Sequence, residues 1–268
     1  MLIIINQYQS FRGKIMLINE RRERIISILH QKKFVTVGHL CDLLYSSPAT
    51  IRRDLSEMAA QGVLKRLRGG AELSEGSNSD MPLLLRRQKE KEKKEIIASL
   101  VLQYLRGAST IFFDSSSTVL YLARQFGDFT GKSIISSGAA TINYLNEQTT
   151  ATVYCTGGRL LNQSSYVGNS AIEAVKSYCA DIMFFSCCGF SAKNGTTEAE
   201  EENAAVKRAM SENARKRILL CDSTKFGHDF FCRAVDTITI DLIITDKKPD
   251  DATVQALQGK LIYPEHTV

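Results

Sequence analysis

At 268 residues and 44% hydrophobic content, the chain is long enough to bury a sizeable core and to form a small domain plus a larger one. No apolar run approaches the ~20 residues a membrane span needs, and Leu2 to Ile5 is too short for the apolar region of a secretory signal, so a cytoplasmic location is expected. The net charge of +5 is uneven: residues 1–72 carry 12 Lys and Arg against 6 Asp and Glu, the remainder 22 against 23, which points to an anionic partner for the first quarter only.

The seven cysteines (Cys41, Cys155, Cys179, Cys187, Cys188, Cys221, Cys232) are odd in number and lack CxxC spacing, which reads as reduced structural thiols. The histidines His30, His39, His228 and His266 are scattered without HExxH or other ligand spacing, so neither a metal nor another cofactor is expected.

Residues 1–15 show no sustained helical or strand period, and the regular pattern starts at Met16, which is expected to be the natural start. Asn19 is placed as the cap of a helix over residues 20–30, with Ile25, Ile28 and Leu29 inward and Arg21, Arg22 and Arg24 largely outward. Residues 31–34 break the pattern. Thr36 then caps a second helix with Val37, Leu40, Leu43 and Leu44 on its apolar face, and residues 45–47 turn into a third.

In that third helix Ser47 is a natural N-cap and Pro48 suits the first helical position, where no N–H is needed. Ile51, Leu55 and Met58 share one face, which leaves Ala49, Thr50, Arg52, Arg53 and Ser56 outward. That short cationic set suits the DNA major groove, where Arg can contact guanine in bidentate fashion, although one of the two arginines could instead pair with Asp54 or Glu57. Gly62 follows at a C-cap position, and residues 63–68 alternate apolar with basic before a Gly69-Gly70 turn. The result is a small β-wing whose Lys65, Arg66 and Arg68 can follow a phosphate backbone. The expected DNA-binding set is therefore Ser47, Thr50, Arg52, Arg53, Lys65, Arg66, Arg68, Gly69 and Gly70, with a double-stranded DNA operator as partner.

The Ser-, Asn- and Gly-bearing residues 73–81 form the expected linker between a DNA-binding domain at 16–72 and an α/β domain at 82–268. Residues 83–105 read as one charged helix whose KEKEKK run is a solvated face. From Thr110 onward, short apolar strands at 111–113, 133–135, 152–154, 182–185, 218–221 and 242–245 alternate with helical stretches, which predicts a mostly parallel sheet covered by helices. Polar clusters follow five of these strands and suggest one crevice beyond the strands' carboxyl ends. The expected effector-binding set is Asp114, Ser115, Ser116, Ser117, Thr118, Ser136, Ser137, Gly157, Gly158, Gly189, Lys207, Asp222 and Lys225. Within it the hydroxyls of residues 115–118 at a helix start are the phosphate candidate; ordinary strand-to-helix capping is the alternative.

The stretch from Glu20 to Leu73, with TIRRDL at 50–55, Gly62 and LKRLRGGA at 64–71, resembles the winged helix-turn-helix of DeoR-type bacterial transcription regulators. The resemblance extends through Asp114 to Thr118, Gly157-Gly158, Gly168, Gly189, Gly195-Thr196, Lys207 and residues 222–227, and so covers nearly the whole chain from Met16. It implies an α/β protein, an N-terminal winged helix-turn-helix followed by a mostly parallel sensor domain similar to ribose-5-phosphate isomerase. It implies a repressor of carbohydrate metabolism genes, modulated by a phosphorylated sugar; a homo-oligomer, dimer or tetramer, is expected because helix-turn-helix proteins commonly place two recognition helices on symmetric half-sites. Three departures stand out: Ser46 replaces an apolar residue ahead of the Ser-x-x-Thr, Ser116 replaces the glycine of a D-x-G-T-T pattern, and Ser136-Ser137 replace Thr-Asn.

The alternative function is a sugar-phosphate isomerase-like enzyme with a DNA-binding appendage, which needs a base beside the carbonyl carbon and an acid on its oxygen. Glu198, Glu200, Glu201 and Glu202 are available, but acids near a helix start are more simply explained by the helix dipole and solvation. The isomerase's acidic catalytic stretch is replaced here by Cys187-Cys188-Gly189-Phe190, and a non-enzymatic role is expected.

Overall fold

A computed structural model of the chain describes residues 18–74, 82–257 and 259–264. Two compact units emerge, Met1–Glu75 and Gly76–Val268. The expected start at Met16 and the greater part of the expected linker lie outside the described residues.

The first unit runs α1 (Ile18–Gln31), β1 (Phe34–Thr36), α2 (Val37–Leu44), α3 (Pro48–Ala60), β2 (Leu64–Leu67) and β3 (Gly70–Leu73). Its core is built from helical stripes: Ile25, Ile26 and Leu29 from α1, Val37, Leu40 and Leu44 from α2, and Ile51, Leu55 and Met58 from α3. Tyr45 makes the tight turn after α2 by adopting the left-handed conformation and donating its N–H to the Cys41 carbonyl. Three expectations for α1 are corrected. The helix begins at Ile18, so Asn19 lies inside it; Ile26 is fully buried where Ile28 is half-buried; and Arg21 is buried because it pairs with Asp54.

β1 falls where only a break was expected, because its partner is far away in sequence. It pairs antiparallel with β3, Thr36 opposite Gly70, in a sheet of order β1-β3-β2. A Cβ on Gly70 would lie 2.2 Å from the Val35 carbonyl oxygen, so only glycine allows this approach.

The second unit opens with α4 (Leu83–Gln88) and α5 (Lys91–Arg106), followed by β4 (Thr110–Phe113), α6 (Ser117–Phe126), β5 (Ser133–Ser136), α7 (Ala139–Gln148) and β6 (Thr152–Cys155). A hairpin of β7 (Arg159–Leu161) and β8 (Ser165–Val167) leads to α8 (Asn169–Lys176) and β9 (Ala180–Phe185). Then come β10 (Gly189–Ser191), β11 (Gly195–Glu198), α9 (Glu201–Glu212), β12 (Ala214–Leu220), β13 (Cys232–Arg233), β14 (Leu242–Ile244), α10 (Asp251–Ala256) and β15 (Leu261–Ile262).

Seven strands form one parallel sheet of order β15-β14-β12-β9-β4-β5-β6. All six expected strands lie in it. Strand alternation sends Phe112, Met183, Phe185 and Leu219 into the core on one face and Ile111, Phe113, Ile182, Phe184, Ile218 and Leu220 into the core on the other. The expected single helix over 83–105 is corrected to two. Glu90 takes a left-handed conformation (φ 52), which breaks the helix, and Lys94 of α5, expected on a solvated face, is buried with its ammonium on the Arg86 and Lys89 carbonyls. The short sheet β10-β11-β13 and the β7–β8 hairpin were not legible as strands.

Candidate functional site

In the first unit, the exposed face of α3 is set by its cap and its ion pairs. Ser47 sits in extended conformation, and its Oγ accepts from the Thr50 N–H at 3.2 Å and contacts the Thr50 hydroxyl at 2.9 Å. The acids beside the two arginines are engaged by α1: Asp54 by Arg21 and by Arg22 at 3.4 Å, Glu57 by Arg22. Arg52 and Arg53 are thereby left exposed, which answers the question left open by their neighbours. Lys65, Arg66, Arg68 and Gly69 are also exposed, and the Arg66 guanidinium donates to Ser56 Oγ at 2.7 Å, tying the wing to α3. Gly70 is the exception in the expected set, being buried against β1.

In the second unit, β4 and β9 are neighbours from which the chain runs outward in opposite directions, to β5 and β6 on one side and to β12, β14 and β15 on the other. A crevice is expected beyond their carboxyl ends. Asp114 follows β4 and Ser186 follows β9, and Asp114 accepts the Ser186 N–H at 3.0 Å. Lys207 from α9 reaches the same point, 3.1 Å from Asp114, bonded to Glu198 and donating to the Ser186 carbonyl at 2.6 Å. Burial alone would lower the Lys207 pKa, but Glu198 and then Asp114 outweigh it and hold the ammonium charged far above its ordinary range. Lys225 behaves likewise: burial is outweighed by Asp222 at 3.3 Å, and its Nζ donates to Ser186 Oγ at 2.8 Å.

Above this buried network lies a cavity of about 410 Å³, lined by Arg86, Lys89, Glu90, Lys94, Ser117, Cys187, Cys188, Glu198, Lys207, Asp222, Thr224, Lys225, His228 and Phe230. Four cationic side chains, and Lys94 where it is protonated, face three acidic ones, so the space favours an anion. A smaller cavity of about 50 Å³ shares Arg86, Cys188, Glu198 and Lys207 with it and adds Ser115, Ser116, Asn162, Ser164, Glu200 and Asn203. Burial pushes the Cys188 thiol up to about 12, followed by the effect of Glu198, so it stands as a neutral donor at 3.4 Å from the Glu198 carboxylate. The cysteines are all free thiols, Cys155 and Cys179 exposed and Cys187 and Cys221 buried, and no group of His, Cys, Asp or Glu suited to a metal occurs among the described residues.

The expected effector residues divide accordingly. Ser115, Ser116, Ser117, Lys207, Asp222 and Lys225 line one or other cavity. Asp114 and Thr118 are buried beneath them, Ser136 spends its Oγ on the Gly138 N–H, and Ser137 is buried against the β7–β8 hairpin, accepting the Tyr166 N–H. Gly157 and Gly158 turn the chain between β6 and β7, and Gly189 lets the His228 backbone approach to where a Cβ would stand 2.2 Å from its carbonyl oxygen. None of these seven lines either cavity, and the five polar clusters do not share one crevice: those at residues 136–138 and 157–159 line neither cavity.

Sequence reasoning missed Arg86, Lys89, Glu90, Lys94, His228 and Phe230, and treated Glu198 as part of a solvated acidic run. For Lys94 a signal was present. It stands at the head of the apolar stripe Ile97, Ala98, Val101 and Leu105, so a lysine on the inward face of α5 was readable from spacing.

A winged helix-turn-helix with a cationic recognition face, carried in one chain with a parallel α/β unit holding a cationic cavity at its strand switch point, is the architecture of a DNA-binding regulator with a small-molecule sensor unit. The DeoR-like helix-turn-helix domain matches residues 21–76 and the DeoR C-terminal sensor domain residues 89–247, and the chain belongs to the DeoR family of HTH-type transcriptional regulators. It is 31% identical to the uncharacterized HTH-type transcriptional regulator YulB of Bacillus subtilis over 92% of this chain and 96% of that protein. The HTH-type transcriptional repressor GlcR of Bacillus subtilis is 30% identical (87% and 90% covered), and the glycerol-3-phosphate regulon repressor of Escherichia coli 27% identical (92% and 98% covered). Among solved structures, ribose 5-phosphate isomerase A from Methanocaldococcus jannaschii overlaps with a TM-score of 0.39 at 12% identity, over 52% of this chain and 55% of its own. No helix among the described residues is long and apolar enough to cross a membrane.

Proposed function

We propose that this regulator is a homo-oligomeric repressor of carbohydrate metabolism genes whose operator affinity is set by a phosphorylated sugar held in the larger cavity. The cavity's excess of cations at the strand switch point carries the proposal. Relatives named as repressors, one of them of a glycerol-3-phosphate regulon, support it. Two copies place two recognition helices on symmetric half-sites, and a sugar phosphate releases them only by binding the DNA-free conformation more tightly. The role is not enzymatic: each acid that lines the cavity is committed to a lysine, Glu198 to Lys207, Asp222 to Lys225 and Glu90 to Lys93, and none stands ready as a base.

Titration calorimetry with a panel of sugar phosphates is expected to find one that binds, loses binding in Lys225→Ala, and weakens operator binding of the wild type. No heat across the panel counts against the sensor. On the DNA side, replacing Arg53 by Ala is expected to cost about 1–3 kcal/mol at the operator and nothing on unrelated DNA. Unchanged operator preference with Arg52 and Arg53 both replaced sinks the assignment of α3.

A further inference from the structure

α4 is too short to persist on its own; an isolated helix needs roughly 12–15 residues to be even marginal in water. Its C-terminal carbonyls are instead held by side chains from the two helices packed against it. Lys94 of α5 donates to the carbonyls of Arg86 and Lys89, Ser117 of α6 donates to the Arg86 carbonyl at 3.3 Å, and Tyr121 of α6 donates to the Arg87 carbonyl at 3.2 Å. Lys94 and Ser117 both line the larger cavity, whereas Tyr121 does not. The Arg86 carbonyl oxygen thus bridges an ammonium and a hydroxyl at the wall of a cationic cavity, as a phosphate oxygen would.

We propose that docked α4 and the effector's phosphate compete for Lys94 and Ser117, so that filling the cavity releases α4. This competition rests on the cavity being a phosphate site. A carbonyl is a neutral acceptor, and a phosphate oxygen makes a charge-assisted bond to the same ammonium about twice as strong. Burial already lowers Lys94 to about 7, with Lys225 and Arg86 adding to the effect, so two carbonyls and the more distant Asp222 and Glu90 compensate its charge incompletely. A phosphate dianion supplies what is missing. The consequence follows from chain order: nine residues separate β3 from α4, but seventeen separate β3 from α5. Release of α4 therefore nearly doubles the length of chain between the DNA-binding unit and the first docked element of the sensor, which lowers the effective concentration at which paired DNA-binding units reach their half-sites.

Hydrogen exchange on the full chain tests the competition, with inorganic phosphate as the probe against chloride at matched ionic strength and phosphorus NMR line broadening as the measure of binding. Phosphate is expected to broaden in wild type and not in Lys225→Ala, and to speed exchange of the α4 amides about tenfold or more as their supports are taken. Broadening with unchanged or slower α4 exchange overturns the competition and leaves the phosphate site standing; no broadening overturns both. Tyr121→Phe loosens α4 from outside the cavity and is expected to tighten phosphate binding about threefold or more, in line with the loss of one neutral hydrogen bond. Unchanged affinity in that variant also overturns the competition.

Discussion

The two units use the same capping device and the same residue types to different ends. Ser47 at the start of α3 and Ser116 at the start of α6 have nearly the same backbone (φ −65, ψ 152 and φ −73, ψ 151), and each accepts the N–H three residues on at 3.2 Å. Around Ser47 the charge is at the surface: the buried ion pairs of α1 with Asp54 leave Arg52 and Arg53 exposed. Around Ser116 the charge is inside, in Lys207, Lys225 and Lys94, each fixed by carboxylates or carbonyls. A hydroxyl cluster after a strand is thus first a helix cap, and what makes a cavity attractive to an anion is the set of cations brought to it from elsewhere.

The largest expected break in that contrast is Lys207→Met. It leaves Asp114 and Glu198 buried without their shared cation, and removing one partner of a buried pair typically costs about 3–5 kcal/mol. Chemical denaturation is expected to show that loss in the sensor transition, with the winged unit's transition unmoved. A cost below about 1 kcal/mol would show the pair to be solvated like a surface one.

How much was readable follows the same division. The winged unit was legible because its determinants are local: caps, an i, i+4, i+7 stripe and a glycine turn within about fifty residues. Among its elements β1 escaped, since a three-residue strand exists by virtue of a partner 36 positions away, and the burial of Arg21 escaped likewise, being set by Asp54 33 positions away. In the sensor, the six core strands announced themselves as apolar runs with polar ends, and Ser115, Ser116, Ser117, Lys207, Asp222 and Lys225 do reach the cavities. The near wall did not announce itself. Arg86, Lys89 and Lys94 belong to a charged stretch that composition alone marks as solvated, and a break at the extended Lys89 and the left-handed Glu90 brings all three to the cavity wall. Glu198 escaped for a related reason, because β11, which carries it inward, pairs with β10 and β13 rather than with the main sheet.

Lys94 sharpens the contrast through pH. The folded chain holds its pKa at about 7, lowered first by burial and then by Lys225 and Arg86 against Asp222 and Glu90, whereas in the unfolded chain it returns to its ordinary 10.5. Between those values the unfolded chain binds a proton that the folded chain does not, so stability rises with pH, by at most about 1.4 kcal/mol per pH unit. Above the ordinary thiol value of 9.0 the raised Cys188 and Cys221 begin to act in the opposite sense, which leaves pH 7 to 9 as the clean window. Urea denaturation across it is expected to show a rising sensor stability in wild type and a flatter profile in Lys94→Met. Parallel profiles for the two proteins would assign the rise to other groups.

The smallest effect compares the two caps directly. Replacing an N-cap serine by alanine typically costs about 1 kcal/mol, because one N–H of the first turn loses its acceptor. Ser47→Ala and Ser116→Ala share the same geometry, so each is expected to destabilise its own unit by about that amount and leave the other unit's transition in place. Their functional readouts should separate. Ser47 also contacts the Thr50 hydroxyl on the exposed face of α3, so its loss is expected to weaken DNA binding without changing sugar phosphate affinity. Ser116 borders only the smaller cavity, not the larger one that holds Lys94 and Lys225, so a small stability loss with sugar phosphate affinity kept within about threefold is the expected outcome. A far larger loss of affinity in Ser116→Ala would make Ser116 itself a phosphate ligand and remove the distinction between a cap and a binding site at this residue.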